Sequence, residues 1–259
     1  MQRVCLLILR CALLLAASAV WARVPRLCSN QVPILKAPGQ KKPSVTIRSV
    51  TMAPGRGSAN IEIVNQSGKT ITAFAYIVDI SYTDGVHCKS ERMTDWAGLV
   101  AAQEAGIQGG QGTIKPGEVY SEVYEFNDPN HVVDMTATME VVVYSDQTAE
   151  SINQYTLDRF IADRNDFAQA ESLAAEAITA AMQDEHPLKS SHDRLLNMKH
   201  NDTATANTAL LATKQDLEPG HGRNFASADE ERKYLATELV QHRAFAATFA
   251  KHAKIVGQP

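Results

Sequence analysis

Residues 70–83 read TITAFAYIVDISYT, the longest run rich in β-branched and aromatic residues in this chain. Successive side chains of a strand point to opposite faces. One face of this run would carry Ile71 and Ile77, and the other would carry Phe74 and Val78. Residues of this kind favour strands over helices. The run therefore predicts a long β-strand, and shorter runs on both sides of it alternate in the same way.

Turn residues separate these shorter runs, because Gly, Pro and Asn cluster between them. Short alternating strands with such turns predict an antiparallel β-sandwich over residues 44–148. The spacing is typical of an immunoglobulin-like fold, although the tryptophan and the cysteine pair of antibody domains are absent. The other predicted strands are Ser44–Met52, Ala59–Val64, Glu118–Phe126 and Ala137–Tyr144.

The pattern changes to a helical repeat after the last predicted strand. Residues 150–184 carry apolar side chains at helical spacing among many Ala and Glu, and a weaker helical stretch covers 190–217. Ser227 and Glu230 have the spacing of a capping box at the start of a further helix. The sequence therefore predicts an α+β fold, in which the sandwich is followed by a helical region over 149–259 with about three helices.

Residues 1–22 have the parts of a cleavable export signal. An apolar run follows Arg3, and Val20-Trp21-Ala22 offers small residues for cleavage, with Ala17-Ser18-Ala19 as a second site. Arg10 interrupts the run and leaves too few apolar residues for a helix that crosses a bilayer. We expect the protein to lie outside the cytoplasm, with the periplasm favoured over the medium.

Residues 23–43 are rich in proline, which predicts an extended arm. Two cysteines leave with the signal, so Cys28 and Cys88 remain. Two thiols in an oxidising compartment can form a disulfide. The alternative is two separate thiols, and the sequence leaves both open.

Three segments of this chain resemble segments of uncharacterised exported bacterial proteins that have a small immunoglobulin-like β-sandwich. They are ANIEIVNQSGKTITAFAYIVDI (59–80), IKPGEVYSEVYEF (114–126) and ATMEVVVYSDQTAES (137–151). Asn65, Ser67 and Lys69 are similar to a turn between neighbouring strands there. The resemblance covers roughly residues 44–160, and it implies the fold and the compartment but no activity.

Residues 84–114 are expected to form a long loop that contains Cys88 and Trp96. Loops of this length inside a compact domain are uncommon and often functional. Within it, Trp96–Gln103 could form a short helix. We expect the loop to present a binding surface, and the alternative is an insertion without a role.

Few residues are candidates for chemistry. Asp128 and His131 lie in a proline turn, where they could form an acid–base or metal pair, although a purely structural turn explains them as well. Six of the eight histidines follow residue 185, but no two have the H-E-x-x-H spacing of a zinc site. No nucleophile or phosphate-binding signature occurs. The sequence predicts no catalytic residue, no metal and no cofactor.

The charge balance bears on possible partners. The chain has 25 basic and 29 acidic residues, and signal removal makes it more acidic by two charges. Nucleic acid is therefore not expected as a partner. The leading hypothesis is an exported, non-enzymatic binding or structural protein whose helical region docks a protein partner or another copy. The alternative is an extracytoplasmic hydrolase or metal-dependent enzyme that uses loop 84–114 with Asp128 and His131.

Overall fold

The computed structural model describes residues 43–53, 57–104, 112–126, 131–201, 203–220 and 224–257. They form an α+β fold with two largely antiparallel sheets and five helices, as the sequence predicts in outline. The strands are β1 (Thr46–Met52), β2 (Ser58–Val64), β3 (Ile71–Tyr82), β4 (His87–Asp95), β5 (Val119–Glu125), β6 (Val132–Tyr144), β7 (Thr148–Ser151) and β8 (Val256–Gly257). The helices are α1 (Ala97–Glu104), α2 (Gln154–Ala181), α3 (Pro187–Leu196), α4 (Ala204–Leu217) and α5 (Ala228–His252).

By their contacts these residues divide into two units. The strand-rich unit runs to Trp96, continues from the region before β5 to Phe160, and includes the residues from Ile255 onward. The helical unit contains α1 and Ile161–Lys254. The helix α2 therefore contributes its first turns to the strand-rich unit and the rest to the helical unit.

The strand-rich unit contains both sheets. One has the order β1-β2-β5 and the other the order β4-β3-β6-β7-β8. All neighbouring strands are antiparallel except β7 and β8, which are parallel. Five strands lie where the alternation predicts them, so these predictions are confirmed.

Strand β3 is buried along most of its length on both faces. Ala73 and Ala75 on one face pack against Leu157 and Phe160 of α2. On the opposite face, the ring of Phe74 lies edge-on to rings from β5 and from the end of β4. The apolar residues that the sequence places on both faces of this strand are therefore used in two separate packing layers.

A buried carboxylate fixes the start of β1. Glu150 on β7 accepts hydrogen bonds from the backbone N and the Oγ of Ser44, at 2.5 and 2.9 Å. It also accepts one from the hydroxyl of Tyr144, at 2.9 Å. Ser44 lies two residues before β1 of the first sheet, while Glu150 and Tyr144 belong to the second. The two bonds from Ser44 therefore tie the start of the first sheet to the second.

The prediction of a long loop over 84–114 is wrong for residues 87–95. These residues form β4, which pairs with β3 from Ala73↔Asp95 to Ser81↔His87. The predicted short helix is confirmed as α1, and residues 105–111 lie outside the described residues. The alternation of apolar and polar residues did not reveal β4 because HCKSERMTD is polar on both faces, with Lys89 and Glu91 in ion pairs with neighbouring elements.

The described residues after 149 contain four helices instead of about three. The stretch 190–217 is interrupted between α3 and α4, and the region also includes the short strands β7 and β8. One bond of the predicted capping box is confirmed, since the Ser227 side chain accepts a hydrogen bond from the backbone N of Glu230, but Glu230 Oε2 accepts from the backbone N of Ala226 instead of Ser227. Among the described residues, no helix combines the length and apolarity needed to span a bilayer.

Small apolar residues fill the core of the helical unit. Alanines of α2 pack there with leucines of the later helices, so the helices contact each other through short side chains. The fully buried members include Ala174, Ala177, Ile178, Leu195, Leu210, Leu217 and Leu235.

Replacing Glu150 with Gln should destabilise the strand-rich unit. The substitution removes the negative charge, so the hydrogen bonds from Ser44 and Tyr144 lose their charge assistance, and the bond with Ser44 Oγ must reverse its direction or be lost. We expect the free energy of unfolding in urea to fall by about 2 kcal/mol. Ser44→Ala removes only the hydroxyl bond and should cost about 1 kcal/mol. A loss for Glu150→Gln no larger than for Ser44→Ala would contradict the proposed anchor.

Candidate functional site

Trp96 is a core residue in this structure. Its ring is buried and lies edge-on to Phe74 and Tyr120, with centroids 5.5 and 5.4 Å away. Its backbone N donates to the carbonyl of Thr72 at 3.0 Å. Trp96 therefore packs in the core of the strand-rich unit, and a role for it in binding stays a prediction.

The other residues singled out from the sequence are not brought together. Cys88 is half-buried on β4 opposite Ile80, while Cys28 lies outside the described residues, so their disulfide stays a prediction. His131 is exposed just before β6, and Asp128 also lies outside the described residues. The acid–base pair of the enzyme hypothesis therefore stays a prediction.

The β3–β4 hairpin contains a serine, a histidine and an aspartate in proximity. His87 Nδ1 lies 3.3 Å from Ser81 Oγ and 3.6 Å from Asp79 Oδ1. A nucleophile relay needs the two partners on different ring nitrogens, so that the imidazole passes a proton between them. Here both partners approach the same nitrogen. This arrangement is suited to ordering the hairpin and not to activating Ser81.

A β-bulge aims a carboxylate into the second sheet. Ala75 pairs with Val141 and Tyr76 with Met139, which leaves Glu140 as the extra residue of β6. Glu140 is 1% exposed and accepts a hydrogen bond from Asn153 Nδ2 at 3.3 Å. Burial raises the pKa of Glu140 to about 6, and the charge of nearby Glu91 adds to this effect.

Glu91 itself is held by the first turns of α2. Thr156 Oγ1 and Arg159 Nη1 both donate to its carboxylate. Arg159 therefore neutralises the charge of Glu91, while the partner of Glu140 is the neutral side chain of Asn153. Bulges often redirect a side chain toward a functional site. In this protein the redirected carboxylate lies among hydrogen bonds that join β4, β6 and α2.

A second, half-buried polar cluster lies between the two sheets. Burial raises the pKa of Glu122 on β5, and the guanidinium of Arg92 partly opposes that shift. Burial and the neighbouring carboxylate raise the pKa of Tyr120 to about 12. Arg92 also lies over the ring of Tyr124, 4.5 Å from its centroid. The cluster is enclosed by side chains of both sheets, which favours a structural role.

Two buried histidines of α5 are paired with carboxylates. His242 is 0% exposed, and its Nδ1 lies 2.5 Å from Glu171 Oε2 on α2. His252 Nε2 lies 3.2 Å from Glu104 Oε1 on α1. Each pair is isolated from the other, and no group of three or more His, Cys, Asp or Glu suited to a metal occurs within the described ranges.

A shallow depression of about 310 Å³ lies on the helical unit. Its surface is almost entirely apolar, although one acidic and one basic side chain stand at its margin. Arg243 Nη2 donates to Thr179 Oγ1 at 3.3 Å. Residues of α2 and α5 line it, namely Ala175, Glu176, Thr179, Ala180 and Arg243. The depression is open to solvent and too shallow to enclose a small substrate.

The sequence analysis missed this depression because it followed only the stripe of α5 that faces the core. The opposite stripe contains Val240, which is 68% exposed one turn before Arg243. A large apolar residue on the outer face of an amphipathic helix is the signal that could have revealed it.

The raised pKa of Glu140 makes stability depend on pH. Between pH 4.5 and 6 the folded protein keeps a proton that the unfolded chain has released, so the free energy of unfolding should fall as pH rises. At about 1.4 kcal/mol per pKa unit, the loss reaches about 2 kcal/mol. Glu140→Gln has no proton to lose and still offers an acceptor to Asn153, so it should escape this loss.

The measurement is urea unfolding of wild type and Glu140→Gln at a series of pH values. The free energy of unfolding of Glu140→Gln, relative to that of wild type, should rise by about 2 kcal/mol between pH 4.5 and 6. Glu125→Gln, at an exposed position on β5, is the matched control for loss of a carboxylate. A difference between Glu140→Gln and wild type that stays constant from pH 4.5 to 7 would contradict the assignment.

Comparisons with protein-family models, with curated proteins and with solved structures found no match for this chain.

Proposed function

We propose that this protein is an exported, non-enzymatic binding or structural protein whose helical unit mediates assembly. The observation that carries the proposal is the open apolar depression between α2 and α5, with Val240 exposed beside it. Apolar surface of this kind gains free energy when another surface removes it from water. The buried carboxylates of the strand-rich unit are instead bonded within the fold, which supports a structural role for them.

An immunoglobulin-like β-sandwich is the proposed architecture of the strand-rich unit. Strand order supports it, because β1, β2 and β5 form one sheet while β3, β4, β6 and β7 belong to the other. The chain then crosses between sheets after β2, β4 and β5, as Greek-key sandwiches do. Pairing of β4 with β3 resembles the additional strand of variable-type domains more than the constant type.

Export to the periplasm is part of the same proposal. It is supported by the signal features of residues 1–22 and by the sandwich, which is frequent in cell-surface and extracellular proteins. In that compartment Cys28 and Cys88 would be the cysteines left after cleavage, and their pairing would tie the proline-rich arm to β4.

Assembly should appear as a molecular mass that rises with protein concentration. We expect light scattering of the mature chain to show this rise. Ala180→Lys places a charge in the depression. In this variant the rise in molecular mass should begin at a protein concentration at least about tenfold higher. The exposed position of Ala180, one turn after Glu176, should let the helix accept Lys without loss of stability.

Val123→Lys is the matched control for this experiment. Val123 is 64% exposed on β5, so the substitution removes a comparable apolar surface from the strand-rich unit. It should leave the concentration dependence unchanged. A mass that stays monomeric at hundreds of micromolar, or an equal effect of both substitutions, would contradict assembly through the helical unit.

Export predicts a defined N-terminus. Intact mass of the protein recovered from a periplasmic fraction should correspond to a chain that begins at Arg23 or, for the second cleavage site, at Val20. A Cys28–Cys88 disulfide would make that mass lighter by two hydrogen atoms until reduction. Recovery of the uncleaved chain in the cytoplasm would contradict the proposed location.

A further inference from the structure

Three polar side chains converge between the two sheets. Tyr76 is on β3, Arg92 is its register partner on β4, and Glu122 is on β5 of the other sheet. Each has a buried polar atom that meets no hydrogen-bonding partner in the part of the chain that the structure describes, namely Tyr76 Oη, Arg92 Nε and Glu122 Oε2. Buried polar groups are nearly always satisfied, so three such atoms in one cluster require an explanation.

The three side chains are close enough to act on one another electrostatically. Burial raises the pKa of Glu122, and the positive charge of Arg92 opposes that shift. Burial also raises the pKa of Tyr76, and the charge of Glu122 adds to the effect. Even so, neither Tyr76 Oη nor Arg92 Nε reaches Glu122 Oε2 with hydrogen-bonding geometry. Polar groups that attract across a gap wider than a hydrogen bond are commonly bridged by water.

Aromatic packing holds these side chains in place. Tyr76 is 0% exposed, and its ring stacks with that of Phe74 at a centroid distance of 6.1 Å. The guanidinium of Arg92 lies over the ring of Tyr124, 4.5 Å from its centroid, which is a favourable cation–π contact. Closing the gap by direct contact would therefore disturb packing on both sides of the cluster.

We propose that one ordered water molecule lies between the two sheets, where it bonds to Tyr76 Oη, Arg92 Nε and Glu122 Oε2. Buried waters typically make about three hydrogen bonds to protein groups that would otherwise be unsatisfied. This water links β3 and β4 of one sheet to β5 of the other. The proposal concerns the strand-rich unit and is independent of assembly through the helical unit.

The chemistry of the three atoms selects a neutral molecule that both donates and accepts. Arg92 Nε–H can only donate, the carboxylate of Glu122 accepts, and the hydroxyl of Tyr76 can do either. A cation would meet the like charge of Arg92, and an anion would meet that of Glu122. Water carries two donors and two acceptors, so a single molecule satisfies all three groups without adding charge.

A crystal structure of the mature chain, at a resolution that shows ordered water, tests the site directly. We expect density for a water at about 2.5–3.2 Å from each of the three atoms. A direct hydrogen bond between Tyr76 and Glu122, with no density between the two sheets at this position, would overturn the proposal.

Tyr76→Phe tests the same site in solution. It removes one of the three bonds and keeps the ring, so the residence time of the water should shorten about tenfold. Magnetic relaxation dispersion of the water signal detects internal waters with long residence times and measures this loss.

Tyr155→Phe is the matched control, since it removes a hydroxyl from a tyrosine on α2 that is 42% exposed. Its relaxation dispersion should equal that of wild type. If Tyr76→Phe folds and its dispersion is also unchanged, Tyr76 holds no internal water and the proposal fails. If Tyr76→Phe does not fold, the wild-type crystal structure decides alone.

Discussion

Strand β3 imposes the main constraint on the strand-rich unit, because it has no face that can remain in water. A strand with apolar side chains on both faces must be covered twice. The first sheet covers one face through aromatic contacts such as Phe74 with Tyr120. The first turns of α2 cover the other through Leu157 and Phe160. Neighbouring strands on both sides then satisfy the backbone of β3, which makes it an interior strand of its sheet.

Burying β3 twice also encloses polar groups, and some of these have specific partners. Glu150 joins the two sheets by accepting two hydrogen bonds from Ser44. Glu140 is the extra residue of a bulge that shifts the register of β6 by one residue. A slip of the register would move every side chain to the opposite face. Buried polar groups of this kind lower the stability that burial alone would give, but they make one register much better than its alternatives.

The sequence predicts five strands well because successive residues of each strand point to two different faces. One face is buried, and the other is either exposed or buried in a separate layer. It fails at β4, where Lys89, Glu91 and Arg92 place charged side chains on both sides of the strand. Lys89 pairs with Asp79 on the neighbouring strand, and Glu91 pairs with Arg159 of α2. The alternation of apolar and polar residues along β4 does not reveal such partners.

A similar limit explains why the depression between α2 and α5 could not be found from periodicity. The inward stripe of α5 contains both Leu235 and His242, and the latter is acceptable inside only because Glu171 on α2 meets it. The outward face contains Val240 among alanines and charged residues, so it has no regular apolar pattern. Val240 is 68% exposed, so folding of the chain gains little free energy from its apolar side chain.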